Sequence, residues 1–400
     1  MGFISNRTAT LGTENAFVVL KEVEDLAATG KDIVSFCIGQ PDFVTPDNIR
    51  IRAIEAVVEG KTGYTPSPGI PELRRAVAET FSRTRGIEVD PDTVVIANGA
   101  KPFIGFSILT VTDYGEGHEV LYPNPGFPIY EAQIEGHGTV PVPLPLLERK
   151  KFNFDMDDLR RKVNEKSRLL ILNSPQNPTG GVLSRAELEE IAEIVLPYEN
   201  LWVYSDEVYS KMVYEDEFQS IASVPGMQER TIIVDGVSKS YAMTGWRMGW
   251  ASNPTLARHF SRWMTNTESC GNQIAQWAAV EALSGPQNAS DRMMAIFKER
   301  RDIIVEGLNA IEGIHCLTPG GAFYVWPNVT EVCAIIGAED SEDLRKRLLY
   351  DAGVAVLADI HFGPRVEGEG QHIRLSYATS NDNIREGLKR IEAYIRENRR

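Results

Sequence analysis

The stretch Gly236-Val-Ser-Lys-Ser-Tyr-Ala-Met-Thr-Gly-Trp-Arg247 comes just after a short apolar run at residues 231–234. An apolar, β-rich run that ends in a polar, glycine-containing loop reads as a strand buried on both faces, delivering its loop to one edge of a sheet. The pattern recurs upstream. Residues 201–204 lead into Ser205-Asp-Glu-Val-Tyr209, and residues 169–172 lead into Asn173-Ser-Pro-Gln-Asn-Pro-Thr-Gly180. Runs at 94–97 and 119–122 have the same texture. Ligands gather beyond the carboxyl ends of strands in open α/β sheets, so these polar loops are the first place to look for a site.

Helices fill the gaps. Over residues 71–85, Leu73, Val77 and Phe81 share one face, with Pro71 at the start and Gly86 just past the end. Ser184 and Glu187 form a capping box for a helix that turns Leu188, Ile191 and Val195 inward and stops at Pro197. Alternating strands and helices predict an α/β fold with a mostly parallel sheet flanked by helices. After about residue 285 the texture changes. A long helical stretch over 290–310 is followed by strand-like runs at 323–326, 354–357 and 373–377. Leu344 and Leu348 precede Gly353, and Ile384, Leu388, Ile391 and Ile395 mark a last helix. The expectation is a large domain over 46–285 and a smaller α+β domain from 1–45 and 286–400, joined without a Pro/Ser linker.

Composition limits the function. Of the 400 residues, 42% are hydrophobic and 24% charged, as in soluble globular proteins. No stretch approaches the roughly 18 uninterrupted apolar residues of a bilayer span, and residues 1–12 show neither a signal peptide nor a myristoylation pattern, so a cytoplasmic protein is expected. A net charge of −15 argues against nucleic acid and anionic membranes as partners. Cys37, Cys270, Cys316 and Cys333 are scattered, as expected of reduced thiols. The six histidines show no metal-binding spacing, and His361 reads as a surface-loop residue or as an edge of the site before Arg374. Gly60-Lys-Thr62 resembles the end of a P-loop, but Glu55 stands where its first glycine belongs.

Further segments complete a recognisable set: Gly39-Gln-Pro-Asp-Phe43, Tyr64, Gly69-Ile-Pro-Glu-Leu73, Pro123-Asn-Pro-Gly-Phe-Pro128 and Arg374-Leu-Ser-Tyr377. With the three loops above, and in this order, they resemble the class I/II aminotransferases of fold-type I, and among them the bacterial aspartate aminotransferases most of all. The likeness covers nearly the whole chain. It implies pyridoxal 5'-phosphate as cofactor, amino acids and 2-oxo acids as substrates, and a homodimer with shared active sites.

The resemblance implies a role for each matching residue. Lys239 holds the cofactor aldehyde and, once freed, moves a proton from the substrate Cα, which an always-charged arginine could not do. Asp206 keeps the pyridine nitrogen protonated, so that the ring draws electrons from Cα. Tyr209 and Asn177 bond the 3-oxygen of the cofactor, and Phe127 stacks on its ring. Ser238, Arg247 and the backbone of Gly99, Ala100 and Lys101 receive its phosphate, with Tyr64 supplied by the other subunit. Arg374 grips the substrate α-carboxylate with two parallel hydrogen bonds, completed by Gly39 and Asn177. Of Pro175 and Pro178, either is a candidate for a cis peptide.

Substrate choice divides. Lys101 matches a lysine in close bacterial aspartate aminotransferases that binds a distal carboxylate, which favours aspartate as donor and 2-oxoglutarate or oxaloacetate as acceptor in ping-pong alternation. The helix start differs here, reading Gly99-Ala-Lys-Pro102, and Asn266 to Asn272 holds no arginine. Phe17 and Ile38 point instead to aromatic or small apolar side chains. A C–S β-lyase shares the same cofactor and lysine, since fold does not fix reaction.

Overall fold

A computed structural model describes residues 4–400. Residues 1–3, the beginning of the segment expected in the small domain, lie outside the described residues. An eight-stranded sheet runs in the order Val94–Ala97, Gly249–Ser252, Thr231–Gly236, Trp202–Asp206, Ser167–Asn173, Glu119–Asn124, Val140–Leu147, Asn153–Phe154. The pairings from Thr231–Gly236 across to Val140–Leu147 are parallel. Gly249–Ser252 and Asn153–Phe154 run against their neighbours.

Strand alternation divides the apolar side chains between two faces. Val95, Ala97, Leu169, Ile171, Ile232 and Val234 share a core with Phe103 and Ile108 of helix Pro102–Val111 and with Phe260 and Met264 of Ala257–Thr267. On the other face, Val94, Ile96 and Ile233 pack on Leu73, Val77 and Phe81 of helix Pro71–Arg85. There too Leu170 and Leu172 meet Leu188, Ile191 and Val195 of Arg185–Val195, whose capping box is formed by Ser184 and Glu187. Helix Pro71–Arg85 ends at Gly86 in the left-handed conformation, φ +66°.

Val140–Leu147 is a strand that its sequence hides. Pro141, Pro143 and Pro145 each lack an N–H, but they occupy alternate positions, so every missing donor falls on one edge. The other edge pairs with Glu119–Asn124, beginning with the Val140 N–H donating to the His118 carbonyl. Beyond the prolines, Leu146 and Leu147 accept Asn153–Phe154 on the edge that has been empty.

In the remainder of the chain, Ile373–Ser376 pairs antiparallel with Tyr324–Val325 and Leu357–Ala358. Residues 354–357, read as one strand, are two: Val354–Ala355 runs parallel to Val34–Ser35, and the chain then changes sheet at Val356. Helix Asn288–Asn309 packs along Asn381–Glu397, and Phe297, Ile304, Phe323 and Ile391 form the core between helices and strands. His361 is not a surface residue. It is half-buried, with Nε2 3.5 Å from Glu342, away from the cleft described below. Among the described residues no helix is long and apolar enough to cross a membrane.

One buried ion cluster ties the loops to the sheet. Arg85 donates from Nε to Glu207 at 2.9 Å and from Nη2 to Asp235 at 2.6 Å, all three side chains being buried. Ser205 and Ser220 also donate to Glu207, and Ser210 to Asp235. Removing the cation leaves two desolvated carboxylates facing each other. Arg85→Met is therefore expected to lose about 3–5 kcal/mol of stability, read as a lower urea midpoint. An unchanged midpoint would mean that the carboxylates are not held by Arg85.

Candidate active site

Strands Ser167–Asn173, Trp202–Asp206 and Thr231–Gly236 end side by side, with Asn173 paired to Asp206 and Asp206 to Val234. Their loops meet Gly39 from the loop after Val34–Ser35, Arg374 from Ile373–Ser376 and Glu14 from the N-terminal segment around a cleft of about 500 Å³. Lys239 lines it. Its Nζ donates to the Gly39 carbonyl at 2.6 Å, and the rings of Tyr209 and Phe323 stand 5.7 Å away. Burial brings its pKa down to about 8; Arg374 and Arg247 push the same way, against Glu14 and Asp206.

Asp206 is buried, and burial raises its pKa to about 6 in spite of a 2.7 Å hydrogen bond donated by the Tyr130 hydroxyl. Tyr130 was not singled out in the sequence, although it follows Phe127 by three residues and so lies one helical turn away. The Phe127 ring meets the Tyr130 ring edge-on at 5.6 Å, which positions Phe127 as a wall of the cleft. The Tyr209 hydroxyl is 2.8 Å from that of Tyr324, another residue absent from the sequence reading. Burial puts the Tyr209 pKa well above the ordinary value, so its hydroxyl keeps its proton.

Arg374 is the cleft's most constrained cation. It is 3% exposed, sandwiched against Tyr324 and Phe362 at 4.6 and 4.8 Å, and donates to the Asn177 side chain at 3.0 Å and to the Cys37 carbonyl. No carboxylate among the described residues lies within ion-pair distance, and its Nε has no partner. A buried guanidinium without a counter-ion is costly, and its orphaned donor calls for an anion. Position 39 on the same cleft has to be glycine, because any side chain there would collide with the Tyr324 hydroxyl. Asn177 is held from behind, its backbone N–H donating to the Asn173 side-chain oxygen at 2.9 Å. Both Ser174–Pro175 and Asn177–Pro178 are cis, as is Asn124–Pro125.

At the opposite end stand Ser238 and Arg247, with Ala100 and Lys101 at the start of helix Pro102–Val111. Gly99 has φ +100°, and a side chain on it would strike the Arg247 guanidinium. Its own amide is committed to the Ala97 carbonyl at 2.8 Å. Gly99 thus admits Arg247, and beside it the amides of Ala100 and Lys101 make no backbone hydrogen bond among the described residues. Tyr64 is 91% exposed and does not line the cleft of its own chain. Lys101 does line it, but its ammonium donates to Glu14 at 3.0 Å and stands 5.2 Å over the Phe127 ring. Glu14, too, was missed in the sequence.

The donor set fits the expected cofactor. A desolvated amine, a buried carboxylate, a hydroxyl that keeps its proton and a cationic helix start surround one space, and the orphaned Arg374 leaves room for a substrate anion.

A family model described as aminotransferase class I and II matches residues 31–391. The chain is similar to the aspartate/prephenate aminotransferase of Cereibacter sphaeroides, 36% identical over 98% of this chain and 99% of that one. Among solved structures it resembles the aspartate aminotransferase of Rhizobium meliloti, with TM-score 0.93 and 32% identity across the whole of both chains. It also resembles the aromatic aminotransferase of Pyrococcus horikoshii, with TM-score 0.85 and 36% identity over 94% of this chain and 99% of that one.

In the cofactor-free protein, Lys239 is expected to react with acetic anhydride with a midpoint near pH 8, where ordinary lysines titrate near about 10.4. Mass spectrometry of the Lys239 peptide across a pH series measures this. A midpoint at the ordinary value would show that the amine is not desolvated.

Proposed function

The chain belongs to the class I and II aminotransferases, enzymes that depend on pyridoxal phosphate, and from that premise we propose that this cleft exchanges the amino group of an L-amino acid with a 2-oxo acid, the two taking turns at Lys239. The observation that carries the reading is the convergence of Lys239, Asp206 and Arg374 on one cleft.

When bound, the cofactor supplies an aldehyde for amines and a ring that draws electrons from the substrate Cα. Lys239 would hold it through Nζ. With a pKa near 8, that amine is neutral in a useful fraction near neutral pH and takes the proton from Cα as a general base. Asp206 would face the ring nitrogen, its carboxylate kept in place by Tyr130. Tyr209 and Asn177 would donate to the 3-oxygen and Phe127 would cover the ring. Ser238, Arg247 and the backbone of Gly99, Ala100 and Lys101 would receive the phosphate, as Tyr64 would from a second subunit. The exposure of Tyr64 supports that homodimer. Arg374 binds the α-carboxylate by its two-pronged edge, and the Asn177 contact fixes the plane of the guanidinium. The domain division at 45/46 and 285/286 and a cytoplasmic location belong to the same proposal.

For the donor, the names of the relatives and the presence of Lys101 support aspartate, with 2-oxoglutarate as acceptor. A second reading, an uncharged side chain, is favoured by the Lys101–Glu14 pair and by Phe17 and Ile38 in the wall.

The cofactor's visible absorbance is expected to fall when a donor amino acid is added and to return with a 2-oxo acid, while Lys239→Ala shows no turnover. Pyruvate and ammonia from cystathionine without an acceptor would indicate a β-lyase instead. Arg374→Leu is expected to lower kcat/KM roughly 100-fold or more for every donor, two charge-assisted hydrogen bonds being lost. Unchanged kcat/KM would remove Arg374 from the carboxylate site. Sedimentation of the active enzyme as a monomer would contradict the shared-site dimer.

A further inference from the structure

Beyond Arg374 and Lys239, the cleft is also lined by Glu14, Phe17, Ile38 and Lys101, a wall open to the side chain of a substrate whose α-carboxylate is on Arg374. The charge of that wall decides what it accepts. Lys101 alone would offer a cation to a distal carboxylate. Glu14 changes this, because its Oε2 lies 3.0 Å from the Lys101 ammonium and its side chain is only 25% exposed. The two charges sum to zero. A second carboxylate entering here gains the attraction of Lys101 but meets Glu14 at nearly the same distance, and it loses water in a wall that is otherwise apolar. An uncharged side chain breaks no ion pair and covers Phe17, which is 58% exposed. The field of Glu14 extends into the chemistry, since it is felt at both Lys239 and Tyr324.

We propose that Glu14 is a specificity-determining residue: it holds Lys101 and turns the cleft from dicarboxylic substrates toward amino acids and 2-oxo acids with uncharged, apolar or aromatic side chains. The inference rests on the aminotransferase reading of the cleft. Specificity of this kind comes from a repulsive group placed against the wrong substrate as much as from attraction to the right one. The same residue governs both half-reactions, because donor and acceptor use the wall in turn.

The test compares wild-type holoenzyme with Glu14→Gln, which keeps the shape and a hydrogen bond to Lys101 while removing the charge. Half-reactions with aspartate and phenylalanine are followed by cofactor absorbance, and binding of succinate and 3-phenylpropionate, which carry no amino group, by calorimetry. The wild type is expected to favour phenylalanine. In Glu14→Gln the aspartate-to-phenylalanine ratio of kcat/KM should rise about tenfold or more, chiefly through KM, one screened charge contact being relieved. Succinate should bind more tightly by a similar factor, with 3-phenylpropionate unchanged, and Lys101→Met added to Glu14→Gln should abolish the gain. If the variant turns over phenylalanine but neither the ratio nor succinate affinity moves, the role of Glu14 is overturned while the aminotransferase reading stands. If the wild type converts no amino acid at all, the reaction itself is overturned, and this inference with it.

Discussion

The register that sets Asn173 beside Asp206, and Asp206 beside Val234, is the constraint from which the site follows. Parallel strands in this register end at a common edge, so their loops leave together rather than in steps. Asp206 is the last residue of its strand, and Lys239 comes three residues after the end of the next. A slip of one residue would turn every side chain to the opposite face. It would swap the side chains that pack on the two layers of helices and shift the loop carrying Lys239 away from Asp206. The Arg85 cluster reinforces the register from below, since Glu207 and Asp235 belong to adjacent strand ends and share one guanidinium.

Burial then does the electrostatic tuning. It lowers the pKa of the Lys239 amine and raises that of the Asp206 carboxyl, bringing both toward the pH at which a protein works. The Arg374 guanidinium cannot respond by losing its proton, so it stays charged, braced between two rings and lacking a counter-ion among the described residues. Two titratable groups near neutrality and one permanent cation that needs an anion make a site suited to a substrate with both an amine and a carboxylate. Glu14 and Lys101 close the outer end with charges that cancel each other.

Much of this was legible in the chain. Periodicity placed the helices Pro71–Arg85 and Arg185–Val195, because proline, capping box and left-handed glycine are local signals that tertiary packing had no reason to override. The motif residues Lys239, Asp206, Tyr209, Asn177 and Arg374 do line one cleft. Val140–Leu147 was hidden because three prolines read as a break unless one notices that they share an edge. The split of residues 354–357 depends on which partners arrive from Val34–Ser35 and Ile373–Ser376, and no local pattern states that. Tyr130, Tyr324 and Glu14 were missed because each acts on a partner distant in sequence: 76 residues for Tyr130 and Asp206, 115 for Tyr324 and Tyr209, 87 for Glu14 and Lys101. A lone tyrosine or glutamate carries no sign of such a partner.

The central claim is that Lys239 holds the cofactor. Reduction of the cofactor-loaded enzyme with sodium borohydride, followed by peptide mapping, tests it directly. The mass of the reduced cofactor should be found on the peptide containing Lys239 and on no other lysine. Its appearance elsewhere, or an unmodified Lys239 in a protein that has retained its colour, would contradict the assignment.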